Sequence, residues 1–148
     1  MNKKLSRRVH RITLYLKELE YQVFDEDINS EFYTAELETP KGVRLGMFID
    51  KTSPFGEFIY TFSFSLLMGE FLKTRIEEIM KICYEFGCYF NMNQNGGEIN
   101  FSLFSKIYFT GLNYHSLYET LNDHLRCVNY LTQLLDFDIY QNKAERGV

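Results

Sequence analysis

The stretch FIYTFSFSL, residues 58 to 66, alternates without a break. Phe58, Tyr60, Phe62, Phe64 and Leu66 take one side, and Ile59, Thr61, Ser63 and Ser65 take the other. A period of two fits an extended strand, whose successive side chains point to opposite faces. Its aromatic and β-branched residues suit a pleated, half-buried surface. With one side greasy and the other mostly hydroxyl, the strand calls for a sheet covered on one face and open on the other.

The rest of the chain supplies the cover and the neighbouring strands. Leu5, Val9, Ile12, Leu16 and Leu19 recur at spacings of four and three, which predicts an amphipathic helix over 5–19. From Tyr21 the period changes to two: EFYTAELET puts Tyr33, Ala35 and Leu37 on one side, and VRLGMFID does the same with Val43, Leu45, Met47 and Ile49. Pro40, Lys41 and Gly42 between them read as a hairpin turn. Helical spacing returns in FLKTRIEEIMKICYEF through Leu72, Ile76, Ile79, Cys83 and Phe86, with Gly87 as the stop. CYFNMN and EINFSLFSKIYF flank Asn95, Gly96 and Gly97, a second hairpin. Ser116 and Glu119 stand at capping-box spacing ahead of a stripe of Leu117, Leu121, Val128, Leu131 and Leu135, and the tail DIYQNKAERGV is expected to fray. The order predicts an α+β fold: a single antiparallel β-sheet with three helices packed mainly on one face, as one domain over 1–148.

Composition narrows the function classes. Three cysteines, Cys83, Cys88 and Cys127, cannot all pair within one chain, so a reducing, cytoplasmic location is expected. The start lacks the apolar core and cleavage site of a signal peptide, and no apolar run has membrane-spanning length, so no membrane partner is expected. The net charge of -4 is unevenly spread: Lys3, Lys4, Arg7, Arg8 and Arg11 precede a stretch, 12–148, with 11 basic and 20 acidic side chains. This basic head reads as the solvated face of the first helix, with phosphate binding as the competing reading.

Several constellations suggest chemistry and then fall short of it. In DEDINSEFYTAE, Asp25, Asp27, Asn29 and Glu36 match the ligand positions of a calcium loop. Ser30 stands where the loop needs glycine, however, and Glu36 lies in a strand rather than at the head of a helix, so the acidic cluster is read as a solvated loop. Cys83, Cys88, His124 and Cys127 offer four atoms suited to zinc, at an unfamiliar C-x4-C and H-x2-C spacing. The pair Cys127 and His124 has no third orienting group, His10 and His115 lie far from it in sequence, and the glycines at 96 and 97 lack a phosphate-binding signature. No metal, cofactor or catalytic residue is therefore assigned.

What remains is the face of the sheet turned away from the helices. If Leu37, Leu45, Phe62, Phe90 and Phe101 face the helices, alternation sends Phe32, Phe48, Thr61, Ser63, Tyr89 and Phe104 to the other side with Arg44 and Asn91. These six are the candidate partner-binding residues, since a contiguous exposed aromatic set marks an interface.

In CYFNMNQNGGEINFSLFSKIYFTGLNYHSLYETLNDHLRCVNYL a hairpin leads through Gly111 to the amphipathic last helix. Together with the helix and meander before it, this order resembles the YbjN-like and type III secretion chaperone-like fold over most of the chain. The resemblance implies a non-enzymatic protein, often a homodimer, that holds an effector segment or another protein partner. It carries no short motif by which site residues transfer. The expected function is a cytoplasmic, chaperone-like or regulatory protein-binding module. An immunity protein neutralising a toxin is the first alternative, and a nucleic-acid-binding regulator using the basic first helix is the second.

Overall fold

The computed structural model describes the backbone of residues 3–145 and the side chains of residues 3–135. Its longest ladder joins β4 (Phe55–Ser65) to β6 (Glu98–Tyr108), from Phe55 opposite Tyr108 to Ser65 opposite Glu98. Around it β1 (Gln22–Ile28), β2 (Phe32–Glu38), β3 (Arg44–Asp50) and β5 (Tyr89–Asn95) complete one six-stranded sheet, in the order β1-β2-β3-β4-β6-β5. Every neighbouring pair is antiparallel. The helices are α1 (Lys3–Glu18), α2 (Gly69–Thr74), α3 (Ile76–Glu85) and α4 (Tyr114–Glu145).

All of the sheet's fully buried apolar side chains lie on one face, where the helices cover them. Leu5, Ile12 and Leu16 of α1 pack with Leu37, Leu45, Met47, Ile49 and Phe58, at the β1–β3 end. At the other end Leu72, Ile79 and Cys83 meet Phe64, Phe101 and Leu103, beneath Cys127, Leu131 and Leu135 of α4. Aromatic rings knit this second half together. Phe101 stacks on Phe90 with centroids 5.0 Å apart and meets Phe62 edge-on at 5.6 Å. Burying a ring of this size contributes about 1.5–3 kcal/mol before packing is counted.

The turns form where the sequence places them. Thr39 accepts from the Gly42 amide and donates its own amide to Val43, closing the β2–β3 hairpin. Gly96 adopts φ 62° between Asn95 and its ladder partner Glu98, a backbone geometry that costs an L side chain strain. At the end of α3, Cys88 N–H bonds Cys83 O at 2.8 Å and Gly87 N–H bonds Tyr84 O at 3.3 Å, with Gly87 at φ 67°. This is the glycine stop in its Schellman form.

Five local features depart from the sequence reading. Residues 22–28, read as part of an acidic loop, form an edge strand, so the sheet has six strands instead of five. A bulge between Phe24 and Asp27, with Asp25 at φ 51°, breaks the alternation and lets Glu26 accept a 2.7 Å hydrogen bond from Tyr33. Acidic residues and a bulge are suited to an edge, where they discourage pairing with another chain. The second helix divides into α2 and α3, giving four α-helices among the described residues instead of three. Arg75 N–H closes onto Leu72 O, three residues back, while the Thr74 hydroxyl bonds Phe71 O at 2.7 Å and competes with the helical ladder. The apolar stripe crosses the break because both segments face the same core.

The strand FIYTFSFSL ends at Ser65, whose hydroxyl accepts from Leu67 N–H and starts a 3-10 turn over Leu66–Met68, so Leu66 lies off the buried face. The cap of α4 lies three residues earlier than Ser116. Asn113 Oδ1 accepts from Ser116 N–H at 2.8 Å, and Ser116 Oγ accepts from Asn113 N–H at 3.0 Å. Glu119 instead approaches His115. The tail expected to fray continues α4 to Glu145, and residues 146–148 lie outside the described residues.

The position of the cap is testable by urea unfolding. Asn113→Ala is expected to lower stability by about 1 kcal/mol, while Glu119→Ala changes it by less than about 0.5 kcal/mol, both with unchanged denaturant slope. Equal losses in the two variants would return the cap to Ser116.

Candidate functional site

Pairing across the sheet fixes which side chains share its uncovered face. Gly46, Ile59, Phe104 and Tyr89 form one row across β3, β4, β6 and β5; Thr34, Phe48, Glu57 and Lys106 form the next. Thr61, Ser102 and Asn91 form a third, and Ser63, Asn100 and Asn93 a fourth. All six residues expected from alternation, Phe32, Phe48, Thr61, Ser63, Tyr89 and Phe104, therefore lie on the face opposite the helices.

The face divides into two halves of different chemistry. In the aromatic half Phe32 and Phe48 stand 5.7 Å apart at β2–β3, and Tyr89 stacks on Phe104 at 5.2 Å across β5–β6. Ile59 lies beside Phe104 and bridges towards β3, where Gly46 leaves the backbone bare. Phe55 and Tyr108 add an edge-on pair at 5.7 Å. In the other half Thr61 and Ser102 hydroxyls are 3.4 Å apart, and Ser63 donates to Asn100 Oδ1 at 3.2 Å. These groups keep spare donors and acceptors for a partner's polar atoms.

One charged pair sits among the rings. Lys106 Nζ lies 4.3 Å from the Phe55 centroid and 5.2 Å from that of Tyr89, a cation held over two aromatic faces. Its ladder neighbour Glu57 accepts a hydrogen bond from the Tyr89 hydroxyl. Burial first, then the Glu57 hydrogen bond and charge, push the Tyr89 phenol well above its usual range, so it remains a proton donor. Glu57, Ile59 and Lys106 were not singled out by the sequence reading. Their signal was present, since Ile59 alternates in register with Thr61 and Ser63, but nothing in one strand reveals which residues stand beside it.

The other candidate constellations are placed differently. Asn29 Oδ1 accepts from Glu31 and Phe32 amides at 2.7 and 3.0 Å, so the oxygen proposed for calcium closes the β1–β2 turn. Glu36 stands on β2 between Phe24 and Gly46. Cys83, Cys88, Cys127 and His124 do share one region of the core. There Ser105 Oγ lies 2.6 Å from His124 Nδ1 and 3.2 Å from Cys88 Sγ. Hydrogen bonding with Cys127 draws the Cys88 thiol below its usual range despite burial, while Cys127 is pushed up by Cys83, Cys88 and burial. Among the described residues no group of three or more His, Cys, Asp or Glu side chains is arranged to hold a metal ion.

The basic first helix is partly committed to the fold. Arg8 donates to Ser53 O at 2.7 Å and lies over the Phe109 ring, and Arg11 donates to the Phe109 and Leu112 carbonyls. Two of the five cations thus tie α1 to loops beyond the sheet, while Lys3, Lys4 and Arg7 are exposed. Among the described residues no helix is long and apolar enough to cross a membrane.

No family model matches the chain, and no curated protein matches it. Among solved structures it is similar to an uncharacterized protein from Methanothermobacter thermautotrophicus, with a TM-score of 0.69 and 13% identity over 90% of this chain and 99% of that one. At that identity the likeness establishes a shared fold.

Proposed function

We propose that this protein is a non-enzymatic, cytoplasmic binding module, chaperone-like in that it holds a segment of a protein partner against the open face of its sheet. One observation carries the reading: five strands deliver Phe32, Phe48, Thr61, Ser63, Tyr89 and Phe104 to the same uncovered surface. Its aromatic half offers rigid, amphipathic contact area of the kind that dominates binding energy, and its hydroxyl and amide half fixes orientation. A segment with apolar side chains at one end and free backbone or amide groups at the other matches this division. Self-association as a homodimer is part of the proposal.

Engagement of Arg8 and Arg11 within the fold weighs against the nucleic-acid reading, which needs basic side chains free for phosphates. Binding by the sheet face depends instead on apolar burial and changes little with salt.

Two measurements test the reading: retention of partners from native lysate by the tagged protein, and self-association by sedimentation. Phe104→Asp and Phe48→Asp are each expected to weaken the interaction by at least about 2 kcal/mol, roughly thirtyfold, with far-ultraviolet circular dichroism unchanged. Lys4→Glu combined with Arg7→Glu should leave it intact, because these side chains lie on the far side of the helix layer. Binding that survives both sheet-face variants and is lost in the charge-reversed helix would overturn the assignment. Raising salt from 50 to 200 mM distinguishes the readings further, since contacts to several phosphates would lose orders of magnitude in affinity.

A further inference from the structure

On the covered face the helix layer has a gap. α1 packs on β1–β3 and α4 on β4 and β6, and the chain turns away after α1 through Glu20 at φ 65°. The two buried clusters meet at Tyr60 of β4, the half-buried ring that packs against both while also flooring the gap. The result is an open groove of about 690 Å³ between the end of α1, the β2–β3 turn and α4. Its volume falls within the range of small-molecule sites, which are mainly apolar with a few placed polar groups.

The charge of this groove runs against that of the protein. The chain has 20 acidic and 16 basic side chains, yet none of the groove's lining residues is acidic, and Lys41 and Arg126 stand at its rim. Neither has an ion pair among the described residues; Arg126 lies with its guanidinium 6.0 Å from the centroid of Phe86, a ring outside the groove lining, so its partner among these residues is an aromatic face and not an acid. Tyr21 and Tyr118 bring two phenols to the same wall. Burial and the neighbouring Tyr118 push Tyr21 up to about 12, so it offers an O–H at neutral pH. Leu19, Val43, Leu121 and Leu125 supply the apolar lining.

We propose that this groove binds a small amphiphile with a single anionic head group, carboxylate or phosphate monoester, its apolar body lying over Tyr60 and its head between Lys41 and Arg126. The site lies on the opposite side of the sheet from the partner-binding face, so the two can be tested apart.

Isothermal titration of the full chain with four eight-carbon probes tests this: octanoate, octyl phosphate, octanol and octyltrimethylammonium, all below their aggregation concentrations. At least one anionic probe should bind tenfold or more tightly than both octanol and the cation, and comparison of octanoate with octyl phosphate assigns the head group. Lys41→Gln and Arg126→Gln should each weaken that probe by roughly tenfold, the loss of one charge-assisted hydrogen bond. Both side chains are exposed, so the melting temperature should hold. Equal affinity for all head groups, unaltered binding in both variants, or no binding at millimolar probe would overturn the proposal. Self-association abolished by Arg126→Glu, without amphiphile binding, would assign the groove to a second copy and overturn it as well.

Discussion

The ladder between β4 and β6 is the interaction on which the remaining structure depends. It pairs eleven positions on each strand and sets which side of every neighbouring strand faces the helices. Phe58, Tyr60, Phe62 and Phe64 project from β4 into the core, opposite Ser105, Leu103, Phe101 and Ile99 of β6. A slip of one residue would move this whole aromatic series into water and bring Glu57, Thr61 and Ser63 inside, at a cost no local turn could offset. β3 reads its register from β4, β2 from β3, and β5 from β6, so the two edges inherit an orientation decided at the centre.

One-sided cover follows from that alternation and creates both candidate surfaces. Helices are drawn to the greasy face because apolar area leaves water there. Among the described residues no helix covers the opposite face, and its aromatics are left half-exposed beside hydroxyls. On the covered side, two helical units pack over the two halves of the sheet rather than one continuous layer, and Tyr60 lies at their seam. A tyrosine suits that position, because its ring contacts both cores and a phenol tolerates the partial exposure of a groove wall.

Ser105 shows how a polar group inside the fold is held, although His124 Nε2 beside it is buried without a hydrogen-bond partner among the described residues. Ser105, placed on the buried face by alternation, meets His124 of α4 and the Cys88 thiol, so a hydroxyl that would otherwise be costly to bury is satisfied. Arg8 and Arg11 serve a similar end at the surface. Their guanidinium groups take up the carbonyls of Ser53, Phe109 and Leu112, where the chain leaves regular pairing around the ladder. Charge that reads as solvated in the sequence thus serves in part to fasten α1 to the ends of β3, β4 and β6.

The sequence by itself determined the period of each strong element and the side of the strand on which each residue falls. Phe48, Thr61 and Phe104 could be assigned to the uncovered face because alternation is a local property of an extended backbone. The same locality explains the glycine stop at Gly87 and the turn at Gly96. Where local signals compete, reading one strand or helix alone fails. The bulge at Asp25 hides β1 because the extra residue cancels the period, and Asn113 caps α4 ahead of the equally plausible Ser116, since the chain leaving Leu112 places its side chain against the first free amides. Only the tertiary structure decided that Lys106 rests over Phe55 and Tyr89, that Cys88, Ser105 and His124 meet, and that two helical units leave a groove above Tyr60. Those arrangements depend on strand order and helix placement, which join residues tens of positions apart and have no periodic trace along the chain.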